Sequence, residues 1–298
     1  MWAALFPGQG SQQIGMGQFL FDNFKTAKTL FEEASDTLSL DFKKLCFNGD
    51  EKELALTHNT QPALLLVSTC YSQVLQEVSP IDFKFTAGHS VGEYAALVHS
   101  KVLKFSDAIR AVRKRGQEMQ SAVPVGQGGM VAVLGLDSEQ VNKMILWSKE
   151  KSQLGPIECA NFNSPGQIVI SGDKQALDWL VSNLDKEIFS PAPRRLKLIP
   201  LKVSAPFHCS LMKPAQDAMQ TFFEDIVFSN AETPVVQNTI ASAETDPNNI
   251  KVNLTQQISS SVNWHPSIDW MSSQGVEKYL ELGHGKVLSG LNLSLIHI

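Results

Sequence analysis

Five residues, Gly88-His89-Ser90-Val91-Gly92, narrow the possible folds more than any other stretch of this chain. They fit the pattern G-x-S-x-G. A short apolar run, Phe83 to Ala87, precedes them and reads as a strand, and a helix-forming run, Glu93 to Val98, follows. A sharp strand-to-helix turn strains the serine backbone and lifts its hydroxyl clear of the sheet. A Cβ at either flanking position would clash, which is why the chemistry needs glycine there. Backbone N–H groups at the start of the helix point at the nucleophile, so the Val91 N–H is placed to bind a developing oxyanion.

The remaining chain alternates strand and helix patterns. Trp2 to Phe6 reads as a buried strand that stops at Pro7-Gly8, before a glycine-punctuated loop, Gly8 to Gln12. Phe19 to Leu40 carries apolar residues at helical spacing. Pro62 to Leu75 is apolar nearly all round and predicts a buried helix. Ser106 to Gln120 predicts an amphipathic helix with Ser106 as N-cap. From about Gly126 to Pro200 the order becomes β-α-β-β-α-β, the split ferredoxin-like unit, with its central turn at Asn163-Ser164-Pro165-Gly166. Glycines flank it on one side and Pro191, Pro193 and Pro200 on the other. After it the pattern predicts a helix from Lys213 to Phe223, a strand at Val235 to Gln237, a helix near Ile250 to Ser260 and a strand at Lys278 to Leu282. The expected fold is α/β, with a hydrolase-like parallel-sheet core and an inserted ferredoxin-like small subdomain. Residues 1–125 and 202–298 would form the catalytic part and 126–201 the insertion, with a cleft between them.

Bulk properties exclude several classes. The 298 residues suffice for a full core. A hydrophobic content of 43% with 18% charged residues is that of a globular chain rather than a disordered one. A net charge of −5 without a basic block argues against nucleic-acid binding. The cysteines, Cys46, Cys70, Cys159 and Cys209, lie far apart with no CxxC pair, so free thiols are expected rather than a disulfide scaffold or a zinc site. The first ten residues lack a basic n-region, so no signal peptide is expected. No stretch approaches the roughly 18 apolar residues of a membrane span. A cytoplasmic monomer without metal or bound cofactor is the expectation.

A serine nucleophile needs a base, because its free hydroxyl is almost fully protonated at neutral pH. Among seven histidines the leading candidate is His208, in Ser204-Ala205-Pro206-Phe207-His208-Cys209, where the chain returns from the insertion and faces the cleft. No Asp or Glu between Ser90 and His208 sits in a recognisable strand-end loop. The group that orients the histidine is therefore left open between a carboxylate, a neutral amide and a backbone carbonyl.

Further motifs then converge in order. Phe6-Pro7-Gly8-Gln9-Gly10-Ser11-Gln12 opens the chain, and Glu93-Tyr94 extends the serine motif. Arg115-Gly116, Asn161-Phe162-Asn163-Ser164-Pro165-Gly166-Gln167, Leu211-Met212-Lys213-Pro214 and Gly283-His284-Gly285-Lys286 follow. Together they closely resemble the malonyl-CoA:acyl carrier protein transacylases of dissociated (type II) fatty acid synthesis, from Trp2 to about Leu291. The resemblance implies malonyl-CoA and an acyl carrier protein as partners. It implies that Ser90 carries the malonyl ester, that His208 is general base and then general acid, and that Gln9 joins the Val91 N–H in the oxyanion hole. Arg115 would pair with the free malonyl carboxylate, whose geometry its guanidinium fork fits. His89 and Asn161 would contact substrate, Phe207 would narrow the pocket against a branched acyl group, and Gln257 would orient the histidine in place of a triad acid.

Two features depart from the pattern: His284 stands where proline is usual, and Ser294 to Ile298 looks altered relative to a basic last helix. Rival readings are a serine esterase or thioesterase with the same elbow, a trans-acting acyltransferase of a polyketide pathway, and an inactive carrier-docking module. An acidic carrier would need a local basic patch, for which Arg194, Arg195, Lys197 and Lys202 are the candidates.

Overall fold

Trp2–Phe6 (β1) and Phe83–Gly88 (β2) form the parallel pair at the heart of the larger sheet. The structure is a computed structural model and describes residues 1–193 and 195–296. Gly128–Leu134 (β3), Ile157–Ser164 (β4), Gln167–Asp173 (β5) and Lys197–Pro200 (β6) make a second, antiparallel sheet. Val235–Gln237 (β7), Ser242–Glu244 (β8) and Lys278–Glu281 (β9) complete the first. The larger sheet runs β8-β7-β2-β1-β9, parallel except for the β7–β8 hairpin at its edge. The smaller runs β4-β5-β3-β6, which is the strand order of a ferredoxin-like unit. The expected α/β class, a hydrolase-like parallel core with a small ferredoxin-like subdomain, is what the chain adopts.

The helices are Gln18–Asn23 (α1), Lys25–Leu38 (α2), Glu51–Ala55 (α3), Thr57–Val78 (α4), Gly92–His99 (α5) and Phe105–Ser121 (α6). Ser138–Ser152 (α7) and Lys174–Asn183 (α8) cover one face of the small sheet. Lys213–Phe222 (α9), Pro247–Gln256 (α10), Trp264–Ser273 (α11) and Val287–Ile296 (α12) follow. Ala4, Phe6 and Phe83 of the large sheet share a core with buried residues of α2, α4, α5, α6 and α9. Ala3 and Leu5, on the alternate positions of β1, and Phe85 and Ala87 of β2, past a register shift that separates them from Phe83, face a second core with Trp264, Ile268 and Met271 of α11. A sheet buried on both faces explains why these strands read as continuous apolar runs.

Three expectations need correction. The helix predicted over Phe19 to Leu40 is two helices, broken where Phe24 turns extended (φ −127°, ψ 128°). The break redirects α2 so that the rings of Phe21, Phe31 and Phe47 meet at centroid distances of 5.2–5.4 Å. Ser106 is not an N-cap. Lys104 caps α6 without a side-chain bond, and the helix starts one residue early because Phe105 is drawn into the core. The helix near Ile250 to Ser260 starts at Pro247, behind an Asp246 side chain that accepts from the Asn248 and Asn249 N–H groups. Helix α11 and strand β8 were not foreseen. Arg194 and His297-Ile298 lie outside the described residues.

One packing detail bears on the site. Pro62 lies within α4 and has no N–H, so it leaves the His58 carbonyl without its i+4 partner. Arg113 Nη1 of α6 donates to that carbonyl at 2.8 Å. The bond ties α4 to α6, the helix that carries Arg115.

Candidate active site

Ser90 sits between the end of β2 and the start of α5 with φ +52°, in the left-handed region. A Cβ on Gly88 would lie 2.0 Å from the Gly92 carbonyl carbon, and one on Gly92 would lie 2.1 Å from the Phe6 carbonyl oxygen. Both glycines are therefore steric necessities of the turn, as the motif implies. The strained serine backbone is held on both sides: its N–H donates to Asn238 Oδ1 (2.8 Å) and its carbonyl accepts from Gln257 Nε2 (3.0 Å).

His208 also has a left-handed backbone, φ +60°, and is buried. Its Nδ1–H donates to the Gln257 main-chain oxygen at 2.9 Å, which fixes the tautomer and leaves Nε2 as acceptor for the Ser90 hydroxyl, 2.7 Å away. Burial, with the Arg115 charge adding to it, lowers the His208 pKa to about 3. The imidazole is thus neutral and able to take a proton throughout the physiological range.

Arg115 is only 1% exposed. Nη1 donates to Gln61 Oε1 (2.8 Å), and Nη2 to Gln257 Oε1 (2.9 Å) and to Ser90 Oγ (3.0 Å). Its Nε has no partner among the described residues. A buried cation is thus bonded to the Ser90 hydroxyl with no carboxylate bonded to it among the described residues, an arrangement suited to an anionic group.

A cavity of ≈ 220 Å³ gathers Gln9, His89, Ser90, Val91, Arg115, Asn161, Phe207 and His208. Leu201, Val203, Val287 and Leu288 give it an apolar wall. Residues of the small sheet, Met130, Asn161 and Val169 among them, line the same cavity as the elbow. Gln9 is exposed beside it. His89 Nε2–H donates to Asn163 Oδ1 (2.9 Å). Gln257 does not line the cavity: it lies beneath it, fully buried. Among the described residues no group of three or more His, Cys, Asp and Glu is placed to hold a metal.

An acyl transferase domain family model matches residues 4–284. This chain belongs to the acyl transferase domain family. Within that family its relatives are the ones the motifs led us to expect. It is 45% identical to the malonyl CoA-acyl carrier protein transacylase of Bacillus subtilis over 289 residues, 97% of this chain and 88% of the relative. A relative of the same name from Staphylococcus aureus is 43% identical over the same length, with 97% and 90% coverage. Among solved structures, an acyl carrier protein S-malonyltransferase from Vibrio cholerae superposes with a TM-score of 0.91 at 40% identity, covering 99% of this chain and 94% of that one. A malonyl-transacylase in complex with a type II polyketide acyl carrier protein matches with a TM-score of 0.91 at 40% identity, 99% and 93% covered.

Several polar residues of this acyltransferase were not singled out from sequence. Gln61 reaches Arg115 from α4, and Asn238 reaches the elbow from the loop after β7. Glu93 belongs to the serine motif but was given no role, and it proves fully buried. Its signal was available: a single acid leads directly into the apolar run Tyr94-Ala95-Ala96-Leu97-Val98, which offers it no charged neighbour.

Burial also lowers the pKa values of His89 and His99, the latter to about 4. His99 and His208 then stay neutral well below the pH near 6.5 at which they protonate when unfolded, and His89 is shifted in the same direction. The unfolded chain binds more protons below that pH, so stability present above it is lost as pH falls towards the folded values. Glu93, raised by burial to about 7, acts with the opposite sign but is one group against several lowered histidines. The thermal midpoint is therefore expected to fall steadily from pH 7 to pH 4. A midpoint constant over that range would contradict the burial of neutral histidines.

Proposed function

We infer that this acyltransferase moves a malonyl group from malonyl-CoA to the phosphopantetheine thiol of an acyl carrier protein, supplying fatty acid synthesis. The observation that carries this reading is the buried Arg115 guanidinium 3.0 Å from the Ser90 hydroxyl. A cation fixed there suits an acyl group that ends in a free carboxylate, and it penalises one that does not.

The reaction is ping-pong. Ser90 Oγ attacks the thioester carbon while its proton passes to His208 Nε2. The oxyanion of the tetrahedral intermediate is held by the Val91 N–H, at the start of α5, with Gln9 beside it. Collapse breaks the C–S bond, and His208 returns the proton to the departing coenzyme A sulfur. The carrier thiol then repeats the sequence on the malonyl-serine ester, giving its proton to His208, which passes it back to Ser90. The orienting group is the Gln257 carbonyl rather than a carboxylate, so the pair works as a dyad. Phe207 and Asn161 shape the acyl pocket. Residues 126–201 serve as the small subdomain that closes the cleft over residues 1–125 and 202–298, in a monomeric, cytoplasmic enzyme. Arg195, Lys197 and Lys202 are exposed and offer positive charge to an acidic carrier.

The rival is hydrolysis through the same serine. Radiolabelled malonyl-CoA given to the enzyme with holo carrier protein is expected to place label on the carrier far faster than it releases malonate, and added salt should slow the transfer. Release of malonate at one rate with and without carrier would make the chain an esterase.

A further inference from the structure

Glu93 is a fully buried carboxylate to which the reaction above assigns no part. Three N–H donors converge on it: Gln237 Nε2 at 3.2 Å, the Asn238 main chain at 2.9 Å and Gln257 Nε2 at 3.0 Å. Two of these donors lead to the nucleophile. Asn238 brackets the elbow, its Oδ1 accepting from the Ser90 N–H and its Nδ2 donating to the Gly88 carbonyl at 2.7 Å. Gln257 Nε2 also donates to the Ser90 carbonyl, while its own main-chain oxygen holds His208. The left-handed serine backbone, unfavourable for a residue with a side chain, is thus clamped by two amides that one carboxylate anchors.

We propose that Glu93 is a positioning residue, whose ionised carboxylate holds Asn238 and Gln257 and through them the strained Ser90 backbone and the His208 ring. It touches neither substrate nor the reacting atoms. All three bonded neighbours are donors, so a protonated Glu93 has no acceptor facing it and the clamp loosens. The titratable groups facing it are the Arg115 guanidinium from α6 and the Tyr94 hydroxyl beside it on α5. Burial raises the Glu93 pKa to about 7, against the pull of its donors and of Arg115. His208, near 3, does not titrate in the same window.

The inference rests on the malonyl-transfer reading only for its choice of substrate, and the test separates the two. Glu93→Ala is expected to lower kcat about 10- to 100-fold, the cost of misplacing a reacting group by a fraction of an ångström, while malonyl-CoA KM stays within about threefold. Glu93→Gln, which keeps one acceptor oxygen, should lie between the alanine variant and wild type. Wild-type kcat should fall as pH drops through about 7, and Glu93→Gln should lack that fall. Phosphonylation of Ser90 by a fluorophosphonate should slow in step with kcat. If Glu93→Ala does not fold, Asn238→Ala, which removes both bracketing bonds, is held to the same criteria. Kcat and phosphonylation within twofold of wild type, a loss confined to KM, or a pH fall that persists in Glu93→Gln would each overturn the proposal. A wild-type enzyme that reacts with fluorophosphonate at a Glu93-dependent rate but transfers no malonyl group would sink the functional reading and leave this one standing.

Discussion

Ser90→Ala is expected to lower malonyl transfer by about 10⁴-fold or more and to leave no labelled protein after incubation with malonyl-CoA. The hydroxyl is the only part of Ser90 that the reaction consumes. The main-chain bonds to Asn238 and Gln257 survive the substitution, so the elbow should keep its shape. His208 and Arg115 would each lose one partner facing an open cavity, where water can replace it. The variant should therefore be folded and inert, with a thermal midpoint near that of the parent. A covalent malonyl-enzyme formed by this variant would mean that another group is the nucleophile. Cys209, beside the base, is a poor substitute: its thiol donates to the Pro206 carbonyl, and burial raises its pKa.

Arg115→Ala should collapse the preference for malonyl over acetyl groups. Removing one side of a buried charge-assisted pair costs about 3 kcal/mol, or roughly a hundredfold in kcat/KM for malonyl-CoA. Acetyl-CoA has no carboxylate to lose, so its rate should fall far less, and it can rise because no unpaired guanidinium remains in the pocket. Part of any shared loss has a structural origin. Gln61 and Gln257 would be left with acceptor oxygens lacking their donor, and Gln257 also supports the elbow. The substrate ratio separates this contribution from recognition, because a loosened elbow slows both substrates alike. Arg115→Lys should not restore the ratio in full, since a single ammonium cannot reproduce the fork that now spans Gln61 and Gln257. Malonyl and acetyl rates that fall together, or that do not change, would remove Arg115 from substrate selection.

The features legible in the chain were those encoded locally. The elbow needs glycine at 88 and 92 because backbone meets backbone there, and that constraint is written in five consecutive residues. The β-α-β-β-α-β insertion was readable because each element has its own apolar period and turn residues. The misplaced boundaries arose where packing overrode local signals. The early start of α6 goes with the burial of the Phe105 ring, and the break at Phe24 with the meeting of the Phe21, Phe31 and Phe47 rings.

Sequence alone determined that Ser90 stands between two glycines in a strand-to-helix motif, and it pointed to His208 and Arg115 as its partners. It also indicated the family, because those motifs recur in order along nearly the whole chain. Only the tertiary structure decided how the charges are managed. Gln257 was expected to orient His208, yet its side chain serves Arg115, Glu93 and Ser90, while its main-chain carbonyl holds the imidazole. Arg115 is buried and Arg110, one and a half turns earlier on the same helix, is solvent-facing, a difference set by the packing of α4 against α6. Asn238 lies 148 residues from the serine it grips. Hydrogen-bond partners and burial depend on distances that the folded chain creates between remote segments, and no local pattern carries that information.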